Sequence, residues 1–165
     1  MNETRTSSPR VEPLSAAEAV AAAGDFAELQ AGPAGLVWNA FDPADGSCRL
    51  WLWSGSDAQC LTPDGFSARS RVYEYGGGAF CLDRDSLVFV NDADQQLYLQ
   101  PLAGGTPRAV TQGERRYGDL LQAGEQVLAV EESHTDERVE HRLVAIGLGD
   151  GSRSGLAEGA DFYAC

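Results

Sequence analysis

No apolar run in this 165-residue sequence approaches the ~20 residues that a helix needs to cross a bilayer, which excludes a membrane-spanning helix. Basic residues are scarce. Twelve Lys and Arg stand against 25 Asp and Glu, a formal charge of −13 that disfavours nucleic acid and anionic membrane surfaces as partners. The acidity reads as a solubility feature. Residues 1–13 are polar and proline-containing, a disordered leader without the apolar stretch of a secretory signal, so a cytoplasmic location is expected. Cys48, Cys60, Cys81 and Cys165 form no C-x-x-C pair and read as reduced thiols, with Cys48 and Cys81 inside apolar strand patterns. His134 and His141 lie seven apart in a polar segment, do not make an H-E-x-x-H motif, and read as solvated loop residues. No metal or cofactor is expected. No serine has glycine two positions away on both sides, so the G-x-S-x-G elbow of a hydrolase nucleophile is missing.

Turns and short apolar runs are abundant. One short helix is expected near residues 15–23, with Ser15 as cap, Glu18 at the capping-box position and Gly24 to end it. Beyond it the helical period disappears, and strand follows turn follows strand. Leu36–Phe41 and Cys48–Trp53 flank a Pro/Asp/Gly turn, and Ala58–Thr62 follows. The pattern returns as 78–82, 87–90, 96–99 and 108–111, and again as 117–121, 127–130, 142–146 and 155–157. The last strands align on Leu61, Val110 and Leu156, at steps of 49 and 46 residues. The first strands align on Phe80, Leu120 and Tyr163, at steps of 40 and 43.

A four-stranded unit recurring at ~40–50 residues is the mark of β-propeller blades. The middle strands are apolar at successive positions, as in Leu87-Val-Phe-Val90, which suits sheets covered on both faces. The fold expected is all-β: a partial β-propeller of about three four-stranded blades, near 25–62, 78–111 and 117–157. Phe26–Leu29 is a candidate innermost strand of the first, and a fourth blade is expected to start at 161–165. Three blades fall short of a closed ring, so the sequence reads as an N-terminal fragment of a propeller domain spanning 14–165.

Four stretches carry a family resemblance: Arg71-Val-Tyr-Glu-Tyr-Gly-Gly-Gly78, Asn91 to Tyr98, Arg116-Tyr-Gly-Asp-Leu120 and Gly159-Ala-Asp-Phe-Tyr163. Together they resemble the N-terminal propeller of prolyl oligopeptidase family serine peptidases, of the dipeptidyl aminopeptidase or acylaminoacyl-peptidase type. The chain departs from the family at several positions. Tyr73 stands where R-V-H-E-Y-G-G-G has histidine, Gly118 where alanine is usual, and Ser133 where V-R-E-D-H has its second acid. The resemblance implies a propeller that gates short peptides and docks a C-terminal α/β-hydrolase domain. This chain has no nucleophile elbow and should not be an enzyme by itself. The alternative is a free-standing, non-catalytic interaction module.

Topology points to one rim. In an antiparallel blade, the loop entering the first strand and the loop between the second and third strands lie at the same end. Two long loops, 63–77 and 131–140, therefore share a rim, where function usually collects. Arg71, Glu74, Tyr75, Glu131 and Glu132 are the candidate substrate- or domain-facing residues, with Gly76, Gly77 and Gly78 as the backbone loop. Some members of the family hold a substrate's amino terminus with paired propeller carboxylates, which the resemblance transfers to Glu131 and Glu132 as an expectation. For Gly76–Gly78 two readings stand side by side, a turn packing two blades and a substrate-facing wall. An open arc also leaves apolar sheet faces wet, so self-association of the chain is expected.

Overall fold

The computed structural model describes Ser15, residues 25–135 and residues 138–163. The helix expected near 15–23, the leader and Cys165 lie outside the described residues. Twelve strands form three four-stranded antiparallel meanders. The first sheet contains β1 (Asp25–Gly32), β2 (Gly35–Asp42), β3 (Ser47–Trp53) and β4 (Ala58–Cys60). The second contains β5 (Phe80–Leu82), β6 (Ser86–Val90), β7 (Leu97–Pro101) and β8 (Arg108–Ala109). The third contains β9 (Arg116–Ala123), β10 (Gln126–His134), β11 (Val139–Gly147) and β12 (Arg153–Glu158).

The first strands lie side by side, β1 next to β5 and β5 next to β9, as innermost strands around a propeller axis do. This is an open arc of three blades, and strand is the regular secondary structure among the described residues.

The middle sheet shows why Leu87–Val90 of β6 is apolar at every position. Leu87 and Phe89 of β6 pack toward Val37, Leu50 and Leu52 of the first sheet. Val88 and Val90 of the same strand pack toward Val127, Ala129, Val144 and Ile146 of the third. Alternation along one strand thus feeds two cores, and no position faces water.

The outer sheets lack a neighbour on their second faces. On the first sheet Trp38 pairs with Trp51 across β2 and β3, their rings 6.5 Å apart, and Phe26 beside them is 73% exposed. On the third, Leu121 and Leu156 stay more than half exposed.

Two strand boundaries differ from expectation. Residues 131–134 and 139–140 are not loop but the ends of the long strands β10 and β11, because Glu131 to His134 continue the ladder opposite Val139 to Arg142. Polar residues there mimic a loop in sequence, yet they pair as a hairpin, and beyond the ladder the Thr135 amide still donates to the Arg138 carbonyl at 2.9 Å. Asp161–Tyr163 also has no strand partner among the described residues and is tethered instead by a tyrosine of the second blade's entering loop.

Candidate functional site

The segment 63–79 is irregular apart from a single bridge between Ala68 and Asn91, but it is laced down at every turn. The Ser67 amide donates to Asn91 Oδ1 at 3.2 Å, and the Arg71 amide donates to Gln95 Oε1 at 2.7 Å. Gln95 returns a bond from Nε2 to the Arg69 carbonyl at 3.1 Å. Ser70 Oγ donates to the Tyr117 carbonyl at 2.7 Å, which joins the loop to β9. Gly118 makes that approach workable, because a Cβ there would stand 2.7 Å from Ser70 Oγ. The departure from alanine at this position therefore has a local steric cause.

Tyr73 and Glu74 both sit at positive φ, 57° and 65°, and the turn closes with a bond from the Gly76 amide to the Val72 carbonyl at 3.0 Å. Two consecutive non-glycine residues in the left-handed region are costly and persist only where contacts hold them. Here the holding group is Glu132, whose Oε2 accepts from the Tyr73 amide at 2.7 Å.

Glu132 is a buried hub. His134 Nε2 lies 2.5 Å from its Oε1, His141 Nε2 lies 3.2 Å from its Oε2, and Arg116 Nη1 lies 3.3 Å from Oε1. The same Arg116 nitrogen is 2.5 Å from Glu74 Oε1. Burial alone would raise the Glu132 pKa, but the bonds from His134, the Tyr73 amide and His141 outweigh it and hold the carboxyl below its ordinary value.

Tyr73 extends the network outward. Its hydroxyl accepts from the Tyr163 amide at 2.7 Å and donates to the Tyr163 carbonyl at 3.1 Å, while its ring lies 4.5 Å from His141 and 5.1 Å from Phe162.

The expected rim thus assembles in part. Glu74 and Glu132 meet through Arg116. Arg71 turns aside to Asp92, 2.8 Å away, and the Tyr75 side chain is 92% exposed. Glu131 and Glu132 do not converge. Neighbours in a strand point to opposite faces, and Glu131 is buried against Arg153, with Arg115 at 3.5 Å.

The histidines also need correction. Instead of two solvated loop residues, they are strand residues flanking one buried carboxylate. Their signal was the hairpin register: Glu132 pairs with His141, and His134 lies two residues on from Glu132 along the same face.

Carboxylate and imidazole atoms of Glu74, Glu132 and His134 lie within 4.8 Å of one another, a spacing that could hold a metal ion. The Arg116 guanidinium already bonds both carboxylates there, so the cluster is satisfied as an ion-pair network.

Gly77 and Gly78 lie against Asp119 of the third blade, and Gly76 lies against its own loop. A Cβ on Gly77 would stand 2.7 Å from Asp119 Oδ1, and one on Gly76 would stand 2.8 Å from the Ser70 carbonyl at a φ of +84°. The next two amides are captured by carboxylates of the neighbouring innermost strands. Gly78 N–H donates to Asp119 Oδ1 at 2.8 Å, and Ala79 N–H donates to Glu28 Oε2 at 2.7 Å. Glu28 and Asp119 are both at positive φ, each in the irregular stretch of its strand. Bulges on the two flanking blades thus aim their acids at one glycine turn between them.

No protein-family model and no curated protein matches the chain. Among solved structures it is similar to a puromycin-hydrolyzing peptidase of Mycobacterium tuberculosis, with a TM-score of 0.83 and 26% identity over 92% of this chain. It is also similar to a puromycin hydrolase, with a TM-score of 0.78 and 24% identity over 90% of this chain, a likeness that speaks for the fold alone. The chain spans only 27% and 26% of those two proteins, about a quarter of each. It therefore has the architecture of the propeller part of such a peptidase, and the likeness supports the prolyl oligopeptidase family without reaching a subtype within it.

Proposed function

We propose that this chain is the propeller portion of a prolyl oligopeptidase family serine peptidase, where it would gate short peptides and dock an α/β-hydrolase domain. The observation that carries the reading is the match of three consecutive blades to a quarter of a peptidase, in a sequence without a G-x-S-x-G elbow. A dipeptidyl aminopeptidase or acylaminoacyl-peptidase subtype rests on the Arg71–Gly78 and Arg116–Leu120 motifs. In this reading the Glu132 network holds the 70–77 loop in one shape at the rim. Glu74 and Tyr75 are then the groups offered to a peptide or to the hydrolase domain.

Catalysis of acyl transfer needs an activated nucleophile and an oxyanion hole, and this sequence has no G-x-S-x-G elbow to present that nucleophile. The purified chain is expected to be inert toward chromogenic aminoacyl and acyl-aminoacyl substrates and to take no label from a serine-directed fluorophosphonate. Turnover abolished by that reagent, with the label on this chain, contradicts the reading.

The wet outer faces supply a second expected result. Trp38, Trp51 and Phe26 on one face and Leu121 and Leu156 on another favour self-association, which the charge of −13 opposes. Salt screens that repulsion beyond ~8 Å at physiological ionic strength. Sedimentation should show larger species as salt is raised, and Trp51→Glu should reduce them. A salt-indifferent monomer would favour a free-standing module.

A further inference from the structure

A cleft of about 720 Å³ opens between the first sheet and the 68–79 stretch of the loop that follows it. That volume is within the range of small-molecule sites. Its walls include Asp25 and Glu28 from β1, Asn39 and Phe41 from β2, Arg69 and Tyr75 from the loop, and the backbone of Gly76–Gly78. Three of these groups are left with unmet bonding capacity by the fold.

Arg69 has no carboxylate partner among the described residues, while Arg71, two positions on, is paired with Asp92. Asn39 is 5% exposed and spends its Nδ2 on the Ala68 carbonyl at 2.8 Å, which leaves Oδ1 with no donor at all. A buried acceptor without a donor is costly and calls for a bonding partner. Glu28 is aimed by its bulge, with Oε2 on the Ala79 amide. Burial raises its pKa, a penalty that a cation alongside would relieve.

The charges act on common ground. The half-buried Cys48 thiol in the same cleft has its pKa raised by burial, with Arg69 pulling it down and Asp92, Glu28 and Asp25 pushing it up.

One unpaired cation and two carboxylates in one cleft are complementary to a ligand that carries both charges. Anions alone meet Glu28 and Asp25, and cations alone meet Arg69. We propose that this cleft binds a small zwitterion of the amino-acid type, its carboxylate on Arg69 and its ammonium between Glu28 and Asp25. Asn39 Oδ1 is a further acceptor for the ammonium, and Phe41 and Tyr75 offer apolar and aromatic surface to the ligand's side chain. The site shares Tyr75 and the glycine turn with the rim of the peptidase reading, but its charged contacts come from Arg69, Glu28 and Asp25 and need no hydrolase domain.

Isothermal titration calorimetry on the whole chain tests it with five probes: glycine, phenylalanine, diglycine, acetate and methylammonium. The zwitterions should bind at least about tenfold more tightly than either singly charged probe, a difference that one lost charge-assisted contact produces. Phenylalanine above diglycine would identify a free amino acid as the ligand, and the reverse order a dipeptide. Both orders support the zwitterion site. Arg69→Gln and Glu28→Gln should each weaken zwitterion binding by about tenfold or more. Arg69→Gln touches no internal contact of that guanidinium, and Glu28→Gln keeps an oxygen for the Ala79 amide, so circular dichroism should match the parent for both. Acetate or methylammonium binding as tightly as glycine would overturn the proposal. So would retention of zwitterion affinity in both folded variants, or no heat from any zwitterion at about 1 mM.

Discussion

Replacing Arg153 with alanine is expected to destabilise the chain by about 3 kcal/mol, the scale for stripping a buried carboxylate of its partner. Glu131 is 1% exposed, and both its oxygens are held by the Arg153 guanidinium in a two-point contact. Without Arg153 the remaining cation is Arg115, 3.5 Å away and itself 43% exposed. The charge would then stay buried with one imperfect partner. Adding Glu131→Gln to the Arg153→Ala variant removes that charge and should restore part of the loss, whereas two independent surface changes would simply add. Urea unfolding monitored by Trp fluorescence reads both effects. A change within about 0.5 kcal/mol for Arg153→Ala would place the pair among ordinary surface ion pairs.

The second large effect is expected at Glu132, and it depends on pH. Its carboxylate is lowered in pKa by bonds made only in the folded state, so its contribution is fully present above the unfolded value near 4.5. It is lost as pH falls through the lower, folded value. Glu132→Gln should therefore cost about 2 kcal/mol at neutral pH, the range for hydrogen bonds to a charged group. The gap to the parent should close below pH 4.5, once the parent's own carboxyl takes up a proton. A glutamine offers one neutral oxygen where the carboxylate offered two charged ones, so the Tyr73 amide contact that holds the left-handed turn weakens and proteolysis between Arg71 and Tyr75 should quicken in the variant. A difference that is constant from neutral pH to pH 3 would mean that Glu132 is not the titrating group.

The sequence carried the architecture because propeller blades write their period into the chain. Leu87-Val-Phe-Val90 is apolar at every position because each successive side chain enters a different core, and no single-faced sheet asks for that. Gly76–Gly78 was legible as a loop with two readings, a blade-packing turn and a substrate-facing wall, but the groups it packs against were not. The residues that require glycine there, Asp119 and Ser70, lie on another blade and earlier in the loop.

The site was half legible for the same reason. Polar composition at 131–140 imitates a loop, and only the strand register reveals that Glu132 faces His141 across a ladder. The resemblance suggested a converging Glu131–Glu132 pair, and the alternation of a strand forbids it. Arg116 went unread as a partner because its two carboxylates lie on different segments, 42 residues before it in number for Glu74 and 16 after for Glu132. The cleft beside Arg69 leaves no local pattern, since its walls are drawn from three strands, β1, β2 and β3, and from the loop after them.

The central claim is that these three blades are interchangeable with the matching quarter of a puromycin-hydrolyzing peptidase. The direct measurement is a chimera in which this chain replaces that quarter of the Mycobacterium tuberculosis protein, assayed for folding, fluorophosphonate labelling and puromycin hydrolysis. A parallel chimera carrying the corresponding part of the second puromycin hydrolase serves as reference. The account predicts a soluble, cooperatively melting chimera with a labelled serine on the hydrolase side and measurable hydrolysis. A chimera that stays unfolded and unlabelled while the reference one folds and turns over would contradict it.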